Sequence, residues 1–250
     1  MKNELVSIIM PTYNCGKFIA RTLDSVVEQV YENWELIIVD DCSNDNTESI
    51  VKSYALNDDR IKYVKLEKNS GAAIARTEAM KIANGKYMAF LDSDDLWIKE
   101  KLSKQLKFMQ ENKYNFTCTD YEQIDENDNK IGKIIKTKKK ADYNRVLLDC
   151  PVGNSTVMYN VEALGKFEVP NIRKRNDDAL WLQILKKEKY IYGMSEVLME
   201  YRVRTNSISS NKFDLIKYHW QLYRDIEHLS FFRSVFHICW WGMIKVLHIK

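Results

Sequence analysis

Residues 86–97 read KYMAFLDSDDLW, an apolar run that ends abruptly in Asp92, Ser93, Asp94 and Asp95. A short, nearly unbroken hydrophobic segment bounded by polar residues is the pattern of a strand buried on both faces. Three earlier segments share it: VSIIM at 6–10, WELIIV at 34–39 and IKYVKL at 61–66. Between them lie helical periodicities such as Phe18, Ile19, Leu23, Val26 and Val27. The order β-α-β-α-β-α-β predicts parallel strands joined by crossover helices, an open α/β sheet. In such sheets ligands bind beyond the carboxyl ends of the strands. Four strand ends are therefore of interest: Pro11-Thr12-Tyr13-Asn14, Asp40-Asp41-Cys42-Ser43, Asn69-Ser70-Gly71 and Asp92-Ser93-Asp94-Asp95.

Downstream, a helix is expected to about residue 113. A hairpin or antiparallel addition follows over 114–135 around the polar turn 125–129, then a basic linker at 136–140. A strand at 155–159, a helix at about 177–187 and a strand near 197–203 complete the α/β part. The chain has 250 residues, 45% hydrophobic and 29% charged, with only 8 Gly and 3 Pro. That composition excludes disorder and collagen-like or low-complexity sequence and allows one full core. With 38 basic and 35 acidic side chains the net charge is +3, too small for a general nucleic-acid binder, so no such partner is expected. The five cysteines contain no C-x-x-C pair, which fits a reducing compartment better than a disulfide framework or zinc site. The apolar run near the N-terminus spans only about five residues, short for a signal peptide, so the protein is expected to stay inside the cell.

Asp92 and Asp94, one residue apart after a buried strand, can share a hard cation such as Mg2+ or Mn2+; alternatively Asp94 or Asp95 caps a helix beginning near Trp97. All four histidines lie beyond residue 218, which disfavours a histidine-rich zinc site. The Asp40-Asp41 pair can accept hydrogen bonds from a ribose or base, begin a phospho-acceptor site, or, with Ser43 and Asn44, cap the next helix. Arg76 reads as a phosphate or pyrimidine contact near a helix N-terminus, or as a surface ion pair. Asp177 and Asp178 follow Asn176 at a helix start. They read as a cap or, if Asp177 faces the rim, as a general base; Trp181 reads as core.

From about residue 229 the chain becomes strongly apolar, with Phe231, Phe232, Phe236, Trp240 and Trp241 among basic residues, and polar residues such as Ser234, His237 and His248 recur at helical spacing. A bilayer span needs roughly 20 uninterrupted apolar residues, more than this stretch supplies. Residues 229–250 therefore read either as an interfacial helix on an anionic membrane or as a helix packed on the domain or in a dimer.

Taken jointly and in order, the 6–14 segment, Ile38 to Ser43, Asn69-Ser70-Gly71 with Ala75-Arg76, and Phe90 to Asp95 strongly resemble glycosyltransferase family 2, over roughly residues 5–205. The resemblance implies a GT-A fold, with a Rossmann-like, mostly parallel central sheet flanked by helices. Residues 1–95 would form the nucleotide-binding half and 96–210 the acceptor-binding half, with 211–250 a helical extension. It implies inverting transfer of a hexose from a nucleotide-sugar donor, with UDP expected, to a saccharide or lipid-linked acceptor in surface polysaccharide or lipopolysaccharide synthesis. The protein would then be cytoplasmic or peripheral on the inner membrane face. Pro11, Thr12, Tyr13, Asn14 and Asp40 would hold the nucleoside, with Asn69, Gly71 and Arg76 on the nucleotide side. Asp92 and Ser93 would approach the ribose or sugar, Asp94 would hold Mn2+ or Mg2+, and Asp177 would be the catalytic base.

Two positions depart from the family pattern. Asn176 stands where the family usually has Glu, which leaves Asp177 and Asp178 both open as the base, with the alignment through Leu180-Trp181-Leu182 favouring Asp177. Tyr201-Arg202-Val203-Arg204, followed by Ser207 and Ser209, resembles the family's late active-site segment, but Arg204 stands where many members have a metal-binding His; an arginine cannot ligate a cation and is read as a partner of the donor diphosphate. A catalytically silent nucleotide-sugar or glycan-binding protein of the same fold is the alternative, and a phospho-receiver built on Asp40-Asp41 leaves everything after residue 120 without a role.

Overall fold

The computed structural model describes residues 2–204 and 212–247. Ser207, Ser209 and His248 lie outside the described residues. The elements follow the order β1 (Val6–Thr12), α1 (Ile19–Val27), β2 (Trp34–Asp40), α2 (Thr47–Ala55), β3 (Ile61–Lys65), α3 (Ala72–Ile82), β4 (Tyr87–Phe90) and β5 (Leu96–Trp97). Then come α4 (Lys101–Asn112), β6 (Phe116–Ile124), β7 (Lys130–Ile135), β8 (Lys140–Ala141), α5 (Tyr143–Leu148), β9 (Met158–Asn160), α6 (Val161–Leu164), α7 (Asn176–Leu185), β10 (Ile191–Arg202), α8 (Lys212–Gln221) and α9 (Phe231–Leu247).

Among the described residues ten strands form one sheet in the order β3-β2-β1-β4-β9-β6-β10-β5, with β7 on β6 and β8 on β10. The first four strands are parallel, as their crossover helices require. β9 enters antiparallel between β4 and β6, and β6 then runs parallel to β10. Every residue of β1 and β2 is buried, because helices cover both sheet faces. Val6, Ile8 and Met10 face a core with α1 and α4, while Ile9, Ile37 and Val39 face a second core with α3 and α7. Trp181 belongs to the second, edge-on to Phe90 at 5.0 Å.

The sheet edge places the strand ends side by side. Thr12 pairs with Asp40, the Asp41 N–H donates to the Thr12 carbonyl at 2.9 Å, and the Leu91 N–H donates to Ile9 at 3.1 Å. Pro11, which lacks an N–H, lies past the last β1–β4 pair, Ile9 with Phe90, where no ladder bond to β4 is lost. The helix expected near Trp97 starts only at Lys101, with Glu100 before it, so neither Asp94 nor Asp95 caps it. Two segments of the expected linker and loop region are ordered differently: β8 pairs with β10, and α5 is capped by Asp142, whose carboxylate accepts from the Arg145 N–H.

At the C-terminal end, α9 packs on α5 and α8. Its Ser234, His237, Trp241 and Ile244 are buried, with Trp241 4.5 Å from the His219 ring. Among the described residues no helix is long and apolar enough to cross a membrane.

Candidate active site

The first strand end is shaped by a strained residue. Asn14 has φ 46°, a left-handed conformation that Asn tolerates better than most residues. Its N–H donates to Ser43 Oγ at 2.9 Å and its Oδ1 accepts from the Asn44 N–H at 2.9 Å, which joins the loops after β1 and β2. Tyr13 projects into solvent beside it, and the buried Thr12 Oγ1 has no hydrogen-bond partner among the described residues.

The two adjacent acids after β2 have separate tasks. Asp40 Oδ1 accepts from the Ser43 N–H at 2.8 Å and Oγ at 2.6 Å, and its Oδ2 accepts from Tyr63 Oη at 2.7 Å. Asp41 reaches across to the third strand end. Its two oxygens accept from the N–H groups of Ser70 (2.6 Å) and Gly71 (2.8 Å), while Asn69 Nδ2 donates to its carbonyl at 3.2 Å. Gly71 has φ 94°, so a side chain there would be strained although nothing lies within 4 Å of where its Cβ would be. Asp41 thus caps the entry to α3, not α2.

Arg76, one and a half turns into α3, is buried with its guanidinium spanning two elements. Nη1 donates to Asn176 Oδ1 on α7, and Nη2 donates to Asp92 Oδ1 at 3.2 Å. The same Asp92 oxygen accepts from Asn154 Nδ2 at 2.7 Å. Burial pushes the Asp92 carboxyl up to about 6, with Asp94 and Asp177 adding like charge and Arg76 opposing them. Asp177 is therefore close enough to Asp92 to act on it. Asp95 faces inward: Oδ2 accepts from Ser155 Oγ at 2.6 Å, Oδ1 accepts from the Arg202 N–H at 3.0 Å, and burial raises its pKa well above the usual carboxylate range. The Ser93 carbonyl accepts from Thr22 Oγ1 at 3.0 Å and Cys15 Sγ at 3.2 Å, fastening the acidic loop to α1.

Asp94 meets two arginines. Its carbonyl accepts from Arg202 Nε at 2.7 Å, and its Oδ2 accepts from Arg204 Nη1 at 2.9 Å. Both guanidiniums stack over Phe18, at 4.9 Å and 5.0 Å from the ring centre. At the start of α7, Asp178 is buried and ion-paired to Arg175 Nε at 2.5 Å. Arg175 adopts φ 65°, which turns the chain into the helix. Asp177 is half-buried, and among the described residues its carboxylate has no hydrogen-bond or ion-pair partner. Thus Asp92, Asp94 and Asp177 converge on one rim with Arg76 and Arg204, while Asp95 and Asp178 turn inward.

The sequence profile described as Glycosyl transferase family 2 matches residues 7–170. The chain belongs to glycosyltransferase family 2. TuaG of Bacillus subtilis, named as a glycosyltransferase of teichuronic acid biosynthesis, is 46% identical to this family 2 chain over 92% of its length and 91% of its own. An Escherichia coli protein, the UDP-Glc:alpha-D-GlcNAc-diphosphoundecaprenol beta-1,3-glucosyltransferase WfgD, is 41% identical over 90% of this chain and 87% of its own. Among solved structures, S. aureus TarS in complex with UDP superposes with a TM-score of 0.67 at 24% identity over 87% of this chain. The glycosyltransferase spans 64% of that TarS chain, and the likeness establishes the GT-A fold.

Two groups in the glycosyltransferase site escape a reading of its motifs, and a third, Arg202, lies in the late active-site segment but has no role read for it there. Asn154 and Ser155 sit on a 3-10 turn before β9 and hold Asp92 from the opposite side of the rim; the Asp92 N–H donates to Ser155 Oγ at 3.0 Å. Arg202, buried at the end of β10, braces the acidic loop and also donates to the Asp125 carbonyl at 3.0 Å. Neither Asn154 nor Ser155 follows a signature, although the polar run Gly153 to Thr156 inside an apolar region is a visible cue.

Among the described residues no group of three or more His, Cys, Asp or Glu side chains could hold a metal by itself. The donors present still fit a hard divalent cation. Such ions are commonly held by one or two carboxylates together with substrate phosphates, and Asp94 presents Oδ1 with no hydrogen-bond or ion-pair partner among the described residues.

Burial likewise raises Asp178 to about 6, against the pull of Arg175. The sign follows from linkage: between about pH 4 and 6 the folded chain keeps a proton that the unfolded chain has released, so this group's contribution to stability falls as pH rises through that window. Asp178→Asn cannot titrate. The Tm of the variant minus that of the wild type is expected to increase from pH 4 to 6 and then level off; a difference independent of pH would refute the shift.

Proposed function

We propose that this glycosyltransferase moves a hexose from a UDP-hexose, with inversion, to a hydroxyl of a saccharide carried on a lipid diphosphate during synthesis of a surface polysaccharide. The observation that carries the catalytic part is the division of labour at α7. Asp178 is committed to Arg175, whereas Asp177 stays half-buried beside Asp92 with no partner of its own among the described residues. The acceptor and pathway follow the named substrates of WfgD and the named role of TuaG.

In this reading Pro11, Thr12, Tyr13, Asn14 and Asp40 hold the nucleoside, and Asn69 and Gly71 shape the turn beside it. Arg76, Asp92 and Ser93 position the ribose and sugar, and Arg204 and Asp94 face the diphosphate. Asp177 takes the proton of the acceptor hydroxyl as its oxygen attacks the anomeric carbon from the back. The bond from that carbon to the phosphate oxygen breaks, and its electron pair leaves with UDP. Arg204, on releasing Asp94, offsets the charge gathering there. When bound at Asp94, Mn2+ or Mg2+ supplies Lewis-acid stabilisation of the departing diphosphate.

The test is slow hydrolysis of UDP-, GDP- and TDP-sugars with and without Mn2+. One UDP-hexose is expected to turn over, and only with metal. No turnover and no binding of any UDP-sugar would overturn the proposal in favour of a glycan-binding protein of the same fold.

A further inference from the structure

Helix α9 is apolar on both sides, but only one side is covered. Ser234, His237, Trp241 and Ile244 are buried where the helix packs on α5 and α8, and Ile238 packs against the core. On the other side Phe232 is 83% exposed, Phe231 and Phe236 56%, and Met243 42%. Phe232, Phe236 and Met243 share one stripe of the helix, i to i+4 from Phe232 to Phe236 and seven residues more to Met243, with Phe231 at its edge. Leaving so much aromatic surface in water is unfavourable, and contiguous patches of this kind mark a site of association.

Charge identifies the occupant. After Glu227, itself buried and ion-paired to Lys186 at 2.8 Å, the sequence contains no acidic residue but carries Arg233, Lys245 and Lys250. Exposed Phe flanking Arg233 in a stretch without carboxylates is the chemistry of a helix lying in an anionic lipid surface, its rings among the acyl chains and its guanidinium at the phosphates. No described helix is long and apolar enough to cross a membrane, and α9 spans 17 described residues. The position of α9 fits the same partner. It packs on α5, α5 packs on α7, and the first turn of α7 carries Asp177. Lys174, just before that turn, lies 5.7 Å from the Tyr218 ring on α8.

We infer that the exposed Phe231, Phe232, Phe236 and Met243 face of α9 inserts into an anionic lipid monolayer and holds the Asp177 side of the site toward the membrane. The orientation rests on the lipid-carried acceptor proposed above; the insertion does not.

The experiment floats the full chain with vesicles of phosphatidylcholine alone or mixed with phosphatidylglycerol, beside the double variant Phe232→Ser/Phe236→Ser. Both side chains are exposed, so the variant is expected to fold and to hydrolyse donor in vesicle-free solution as the wild type does. The wild type is expected to float with the anionic vesicles and to be released by salt, and the variant to partition at least about tenfold more weakly. A wild type that floats with neither vesicle, or a variant that floats as well as the wild type, would overturn the inference. A dimer that the double variant turns into a monomer, without vesicle binding, would assign the face to a second copy of the chain and overturn it too. Vesicle binding without donor turnover would leave the inference standing while the proposed function failed.

Discussion

Asp177→Asn is expected to lower sugar transfer by about 10^3-fold, within the range for removal of a positioned general base, and to leave donor affinity close to that of the wild type. The amide keeps the size and the helix start but cannot take the acceptor proton. A second readout separates this from a general disturbance of the rim. Asp177 is one of the like charges that raise Asp92, so neutralising it is expected to lower the Asp92 pKa from about 6. The pH midpoint of Mn2+-dependent donor binding should move down in the variant. Unchanged transfer would remove Asp177 from the base role; lost transfer with lost donor binding would show a positioning role instead. Asp178→Asn is the control, because its carboxylate serves the Arg175 pair.

The second large effect concerns Asp94. Asp94→Asn is expected to weaken metal-dependent donor binding at least about a hundredfold, since even outer-shell changes at metal sites cost about 10–100-fold. Arg204→Ala should act in two opposite directions. In the absence of donor it releases Asp94 Oδ2 from the 2.9 Å contact, so Mn2+ should bind more tightly. In its presence the diphosphate loses a cationic partner, so UDP-sugar should bind more weakly. Calorimetric titrations of metal alone and of donor with metal, for both single variants and the double variant, read the coupling. Equal effects of Arg204→Ala on both ligands would dismiss the exchange of partners.

Much of the fold was legible because the physics that sets it is local in sequence. Strands buried on both faces must be nearly continuous apolar runs, and β1 to β4 announce themselves that way. β5, β8, α5 and α6 are shorter than any reliable period, and their order comes from pairing with β10 for β5 and β8, from packing on α7 for α5, and from packing on β4 and β9 for α6. The acids of the site were visible as residues just past strands, but their partners were not. Asp41 looks like a cap for the next helix and instead clamps Ser70 and Gly71, about thirty residues on. Ser155 looks like the start of a strand and instead bonds Asp95 and the Asp92 N–H. Asp177 and Asp178 are indistinguishable as letters; burial against Arg175 separates them. The tail shows the converse limit. An apolar helix of this kind reads as packed or interfacial, and α9 has one buried face and one exposed face.

The insertion of β9 between β4 and β6 bears on how the chain acquires its shape. Met88 pairs with Tyr159, and β4 has no neighbour on that side until residues 158–160 have been made. During synthesis the first four strands can assemble, but they present a bare, flat edge lined by Met88 and Phe90 for the time it takes to translate some seventy more residues, several seconds at about 5–20 residues per second. An unpaired hydrophobic edge of this kind is a template for intermolecular pairing. Fragments ending near residue 95 should therefore aggregate, and a nascent chain stalled there is where chaperone binding is expected to peak.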